Sequence, residues 1–123
     1  MEIYLTPRYE VEAWGSAGVV MDVMPALDQG LTVRTRTRIH IAHIAAGGTL
    51  GEHPATRRQI FAVVQGLAHI DTDGEGKREL PAGSLVIWEP GERHQTWAIE
   101  DVIAVVIETD ASVDLPDHFE RVV

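Results

Sequence analysis

The sequence predicts an all-β protein, a sandwich or barrel, on three observations. About eight short apolar or alternating runs are separated by Gly, Pro and Asp turns, the spacing of small β-architectures. The stretch from Leu31 alternates polar and apolar residues strictly through Arg38, as a strand wetted on one face does. The stretch Asp101 to Glu108, DVIAVVIE, is dense in β-branched residues and suits the middle of a sheet. Strands this apolar are unsafe as open edges, and closing the sheet removes those edges.

The elements follow in chain order. Met1 to Glu12 alternates weakly and is interrupted by Pro7, which predicts a short edge strand or an arm covering another surface. Gly15 to Gly18 is read as a turn, Val19 to Met24 as a short strand or structured loop, and Pro25, Asp28 and Gly30 as a loop signal. In the strand from Leu31, Arg34, Arg36 and Arg38 share one face and Thr35 and Thr37 the other; further on, His40, Ala42 and Ile44 group against Ile41 and His43. Gly47-Gly48 is expected to end that strand in a turn with positive φ.

Gln59 to Gln65 reads as a buried strand with Gln59, Phe61 and Val63 on one face, broken by Gly66. Leu67 to Asp71 continues into an acidic, glycine-rich hairpin loop, Asp71 to Gly76, before KREL and the turn Pro81-Ala82-Gly83. Strands are then expected at Leu85 to Trp88, His94 to Glu100 and Asp101 to Glu108, followed by an acidic surface tail after Thr109. No internal repeat or linker is visible, so the 123 residues read as one domain with an N-terminal arm. A chain of this length buries roughly two thirds of its extended surface.

Composition excludes several classes of function. With 19 acidic against 10 basic side chains the formal charge is −9, which repels phosphate backbones and anionic membranes. Neither nucleic acid nor membrane is therefore expected as a partner, and the three arginines of the Leu31 strand read as a solvated face. Cysteine is absent, which removes disulfides and thiolate chemistry. The N-terminal residues lack a signal-peptide pattern, no apolar run approaches a membrane span, and a cytoplasmic location is the expectation. The glycine pairs precede no helix, and Ser16, Ser84 and Ser112 lack a nucleophile-elbow context.

Two stretches carry the chemistry. The first, Gly47 to Gly66, presents His53 before a proline and runs into the Gln59 strand; the second, Pro81 to Trp97, presents His94 after the Pro90-Gly91 turn. They resemble the two motifs of the cupin superfamily. Gly47, His53, Gln59 and Gly66 match the first motif in spacing, with Ala55 where the family has a second histidine and Gln59 where it has a glutamate. Gly83, the LVIW strand, Pro90-Gly91 and His94 match the second, with Glu89 in place of the usual proline and Ala98 in place of a frequent asparagine. The likeness spans Ile39 to Glu108 and is to small single-domain bacterial cupins.

The resemblance implies a double-stranded β-helix, or jelly-roll barrel, with His53, Gln59 and His94 together inside it. Imidazole suits transition metals, so the implied cofactor is a divalent ion, iron, manganese, nickel or zinc, held by those three residues in a weakened site. Arg57 is a candidate for pairing a substrate carboxylate, and Phe61 and Trp88 are candidate substrate contacts. Glu89, fixed in a rigid turn, is a candidate general base or ligand. Period two sends Trp97 outward if His94 points inward, and an outward tryptophan marks a partner surface; cupins of this size are often dimers, so a homodimer is expected. Three functions stay open: a binding barrel for an apolar or carboxylated metabolite, a metal-dependent oxygenase or isomerase, and a dimeric structural protein with a vestigial pocket.

Overall fold

Alternation and turn chemistry build ten strands, seen in a computed structural model that describes residues 1–28 and 36–123. In chain order they are β1 (Arg8–Glu10), β2 (Ala17–Val23), β3 (Leu27–Asp28), β4 (Arg36–Pro54), β5 (Arg58–Gln65), β6 (Leu67–Thr72), β7 (Arg78–Pro81), β8 (Leu85–Trp88), β9 (Arg93–Ala98) and β10 (Val102–Thr109). A single 3-10 turn at Ala13–Gly15 lies between β1 and β2. The pairing order is β7-β6-β9-β4-β10-β5-β8, with β1, β2 and β3 added along β4. All these pairings are antiparallel, and the sheet curls into the nearly closed barrel expected of a jelly roll.

One long strand makes the curl possible. The first half of β4 pairs with β10 from Thr37 to Ile44, and its second half pairs with β9 from Thr49 to Pro54. Gly47 sits between the halves at φ 81, a conformation open to glycine at no steric cost. The expectation that Gly47-Gly48 ends the strand is therefore corrected: the glycines bend it, and pairing resumes beyond them. Gly48 also lies where a Cβ would stand 2.7 Å from the Ala17 carbonyl oxygen, so β2 packs closely over the bend.

Cross-strand partners align in rows across four strands. Arg38, Glu108, Gln59 and Trp88 are successive cross-strand partners, and so are His40, Val106, Phe61 and Val86. Ala42, Ala104 and Val63 form the next row and, with Val19, Ile44, Leu50 and Val102, lie in the core. The expected inward set Gln59, Phe61 and Val63 is buried, while Val64 is exposed. Arg36 and Arg38 are exposed and Thr37 is buried, as alternation requires; Arg34, Thr35 and the start of that expected strand lie outside the described residues. Thr37 and Thr109 share a buried hydroxyl hydrogen bond of 2.8 Å.

The N-terminal segment is both an edge strand and an arm. Among the described residues β1 pairs only with β2, and outside the barrel Asp22 accepts from Arg8 at 2.6 Å and lies 2.7 Å from His43 Nε2. These contacts tie β1, β2 and β4 together, and chiefly the Arg8 hydrogen bond, then that of His43, holds the Asp22 carboxyl down at about 2. Trp97 is half-buried with the Lys77 ammonium 4.1 Å above its ring. Among the described residues no helix is long and apolar enough to cross a membrane.

Candidate functional site

The site begins with two histidines that the strand register makes neighbours. His53 on β4 and His94 on β9 are direct cross-strand partners, and because inward residues on paired strands stand side by side, their rings meet edge to face at 4.5 Å. Both are buried, at 8% and 1% exposure. The Nδ1 of each is bonded to a backbone carbonyl two residues back, Gly51 for His53 at 2.7 Å and Glu92 for His94 at 3.3 Å. A carbonyl only accepts, so Nδ1 carries the proton and, in the neutral ring, Nε2 is left as an acceptor.

Aromatic rings enclose the pair. Trp88 stacks on His94 at 3.9 Å and 8°, and Trp14 stacks on His53 at 4.1 Å and 15°. The Trp88 indole N–H donates to Thr72 Oγ1 at 2.8 Å, which fixes the ring. Burial first, and the neighbouring His53 second, push the His94 imidazole down to about 4. His94 is therefore neutral at physiological pH, and its Nε2 is a sealed acceptor without a partner among the described residues.

A cavity of about 260 Å³ opens beside His53 under the N-terminal arm. Its inner wall includes His40, Leu50, Gln59, Val106 and Glu108 from the barrel strands; the residues from Tyr9 to Trp14 cover it. Tyr9 meets His40 edge to face at 6.5 Å. Gln59 is 4% exposed, and its side chain makes no hydrogen bond among the described residues.

Among the residues singled out from sequence, His53 meets His94 ring to ring and shares the cavity wall with Gln59, which is the cross-strand partner of Glu108 and of Trp88; His94 does not line the cavity. Phe61 and Trp88 are core residues, 0% and 1% exposed, behind the cavity wall rather than on it. Arg57 pairs with Asp110 at 3.3 Å. Glu89 is a half-exposed turn residue clasped by Arg58, 3.1 Å from its Nε; neither it nor Arg57 lines the cavity. The cavity also takes His40, whose strand parity with Ala42 and Ile44 leaves an inward position open to it, and Trp14, which the sequence favours as a core or interface ring. Glu108 and Tyr9 escaped the sequence reading: alternation puts Glu108 with Ala104 and Val106, whereas Tyr9 carried no local signal.

The donor set can be tested against the ion that the motif implies. A buried Ala55 stands at the family's second histidine position, and Gln59 offers a neutral amide oxygen where a carboxylate is a stronger ligand. Among the described residues no group of three or more His, Cys, Asp or Glu side chains is placed to hold a metal ion. Two imidazoles and an amide fall short of the three strong donors of an open metal site.

The comparisons with known proteins agree with this architecture. A family model described as a cupin domain matches residues 40–110. The chain belongs to the cupin domain family. The cupin is similar in structure to KdgF from Halomonas sp., at 21% identity over 86% of this chain and 87% of that one, with a TM-score of 0.66. A cupin-like protein from Thermotoga maritima gives a TM-score of 0.71 at 18% identity, covering 90% and 83%. An RmlC-like cupin from Shewanella frigidimarina gives 0.67 at 18% identity, covering 86% and 85%. At these identities the likeness is one of fold. No curated protein matches this cupin's sequence.

Proposed function

We propose that this cupin binds a small organic molecule in the cavity beneath its N-terminal arm, and that it does so without a resident metal. One observation carries the reading: a cavity of about 260 Å³ borders His53 and Gln59, both more than nine-tenths buried, whose Nε2 and amide have no partner among the described residues. These polar atoms border the cavity and are not sealed in the packed interior. A ligand that donates to Nε2 and meets the amide supplies the partners that the chain itself does not. His53 and Gln59 are then the polar anchors, and Trp14 is the cover. Phe61 and Trp88 act by holding the strand positions of Gln59 and His94.

A heteronuclear NMR screen of a fragment library tests this, read at the Gln59 side-chain amide and the Trp14 indole. Hits should move both resonances in the native protein and lose affinity in Gln59→Leu. A screen whose hits all map away from these resonances rejects the reading.

A second reading, a metal-dependent oxygenase or isomerase, is favoured by the sealed and unpartnered Nε2 of His94. Elemental mass spectrometry of protein purified without tag or chelator separates the two. Close to one ion per chain, lost in both His53→Ala and His94→Ala, selects the metal reading. Metal-free protein that takes up no iron, manganese, nickel or zinc selects the binding barrel. We also propose a homodimer, because Ile3, Tyr4 and Leu5 are exposed apolar residues at the arm's start that a second copy would cover; light scattering of the full chain measures it.

A further inference from the structure

The chemistry of the cavity wall restricts what it accepts. Glu108 lies on the inward face of β10, in register with Gln59 on one side and Arg38 on the other, and borders the cavity. It follows Val106 by two residues, so both project to the same side. Among the described residues Glu108 has no ion pair, and no lysine or arginine lines the cavity. Arg38 is exposed and makes no ion pair with it. Three other arginines are engaged with acids outside the cavity: Arg57 with Asp110, Arg58 with Glu89, and Arg8 with Asp22.

The other polar groups point to the same class of ligand. With Nδ1 of His53 donating to the Gly51 carbonyl, the nitrogen left over is an acceptor, and Gln59 can turn its amide oxygen toward a donor. Gln59 is 4% exposed, borders the cavity and has no partner among the described residues, so the carboxylate is accompanied by a buried polar side chain that itself lacks a mate. At the covering side stands Tyr9, 48% exposed, while one face of Trp14 is taken by His53; the face of a phenol ring attracts cations by about 0.5–2 kcal/mol, increasingly as water is excluded. An acidic chain of net charge −9 adds a field of the same sign.

Resting on the small-molecule reading above, we propose that the ligand is an organic cation, a primary amine or a quaternary ammonium, held by the Glu108 carboxylate beside the Tyr9 ring. This departs from the expectation of a carboxylated metabolite, because the one arginine nominated for that role is paired with Asp110 outside the cavity.

Three probes of nearly one shape test the proposal: benzylammonium, benzyl alcohol and benzoate. Each is titrated into the full-length protein at neutral pH and low salt and followed at the Trp14 indole and Gln59 amide resonances. The expected result is benzylammonium binding about tenfold tighter than either of the others, with that preference lost in Glu108→Gln and shrinking as salt is added. Benzoate or benzyl alcohol binding as tightly at the same resonances overturns the cation class and leaves the small-molecule reading standing. If no probe moves either resonance, both are overturned. A folded Glu108→Gln that keeps the preference also overturns the assignment. Should that variant not fold, the salt titration of the native protein decides: a preference indifferent to salt sinks the proposal.

Discussion

Trp14 and His53 lie face to face, ring centroids 4.1 Å apart and planes 15° from parallel, and Gly51 is what lets them meet. A Cβ at Gly51 would collide with the Trp14 carbonyl, its N–H donates to Ser16 Oγ at 2.9 Å, and its own carbonyl accepts from His53. The cover and the histidine are thus registered against one residue. Trp14 itself is held at φ 59, a left-handed conformation uncommon for a bulky side chain.

Gly51→Ala therefore lifts the arm. The variant should lose about 1–3 kcal/mol of stability, and the segment before β2 should become sensitive to limited proteolysis. Urea unfolding and a protease time course measure the two effects. A stable, protease-resistant Gly51→Ala would show that the arm is not seated there.

His94 makes stability depend on pH, with a sign that follows from its direction of shift. Its ordinary value is 6.5 and the folded protein holds it at about 4, so the unfolded chain takes up the proton first as pH falls. The stability present above pH 6.5 should decline between 6.5 and about 4 and then level off, a span of the order of 3 kcal/mol. His94→Phe should flatten that part of the native curve. Denaturant titrations of both proteins across the window check it; parallel curves would refute the assignment to His94.

Phe61 is 0% exposed and packs against Trp88 at 6.0 Å between ring centroids. Truncation to alanine leaves a cavity in a close-packed interior, so Phe61→Ala should lower unfolding free energy by about 3–5 kcal/mol. A loss of ligand binding with unchanged stability would make Phe61 a ligand contact instead of a core residue.

Metal affinity should be recoverable by supplying the missing donors. Ala55→His combined with Gln59→Glu adds an imidazole and a carboxylate to the His53–His94 pair, and the larger side chain at buried Ala55 should cost about 1–3 kcal/mol. The double variant is expected to hold near-stoichiometric zinc or manganese by elemental mass spectrometry, and the native protein markedly less. Equal metal in both proteins would count against the shortfall of donors described for the native site.

Much of the fold was legible because alternation reports directly on which face of a strand is buried. Leu85 to Trp88 begins and ends in β8 as expected, and Gln59, Phe61 and Val63 are the buried face of β5. The misreading at Gly47-Gly48 has a local cause. A glycine pair marks either a turn or a bend, and only the partners of the following residues, β9 for Thr49 to Pro54, distinguish them. Glu108 was missed although its parity with Val106 places it inward, since a charged residue at the end of an apolar run ordinarily marks where the strand reaches water.

The sequence by itself determined the all-β class, the inward face of the Gln59 strand, the lack of thiols and the motif likeness that predicts His53, Gln59 and His94 inside one barrel. Each rests on local periodicity or composition, which a linear chain displays. Tertiary structure decided which residues complete the site: the register that sets His53 beside His94, the row that sets Glu108 beside Gln59, and the arm that lays Trp14 over His53. Those relationships join residues distant in sequence through hydrogen-bond registers and close packing, and no periodicity along the chain encodes which strand becomes another's neighbour.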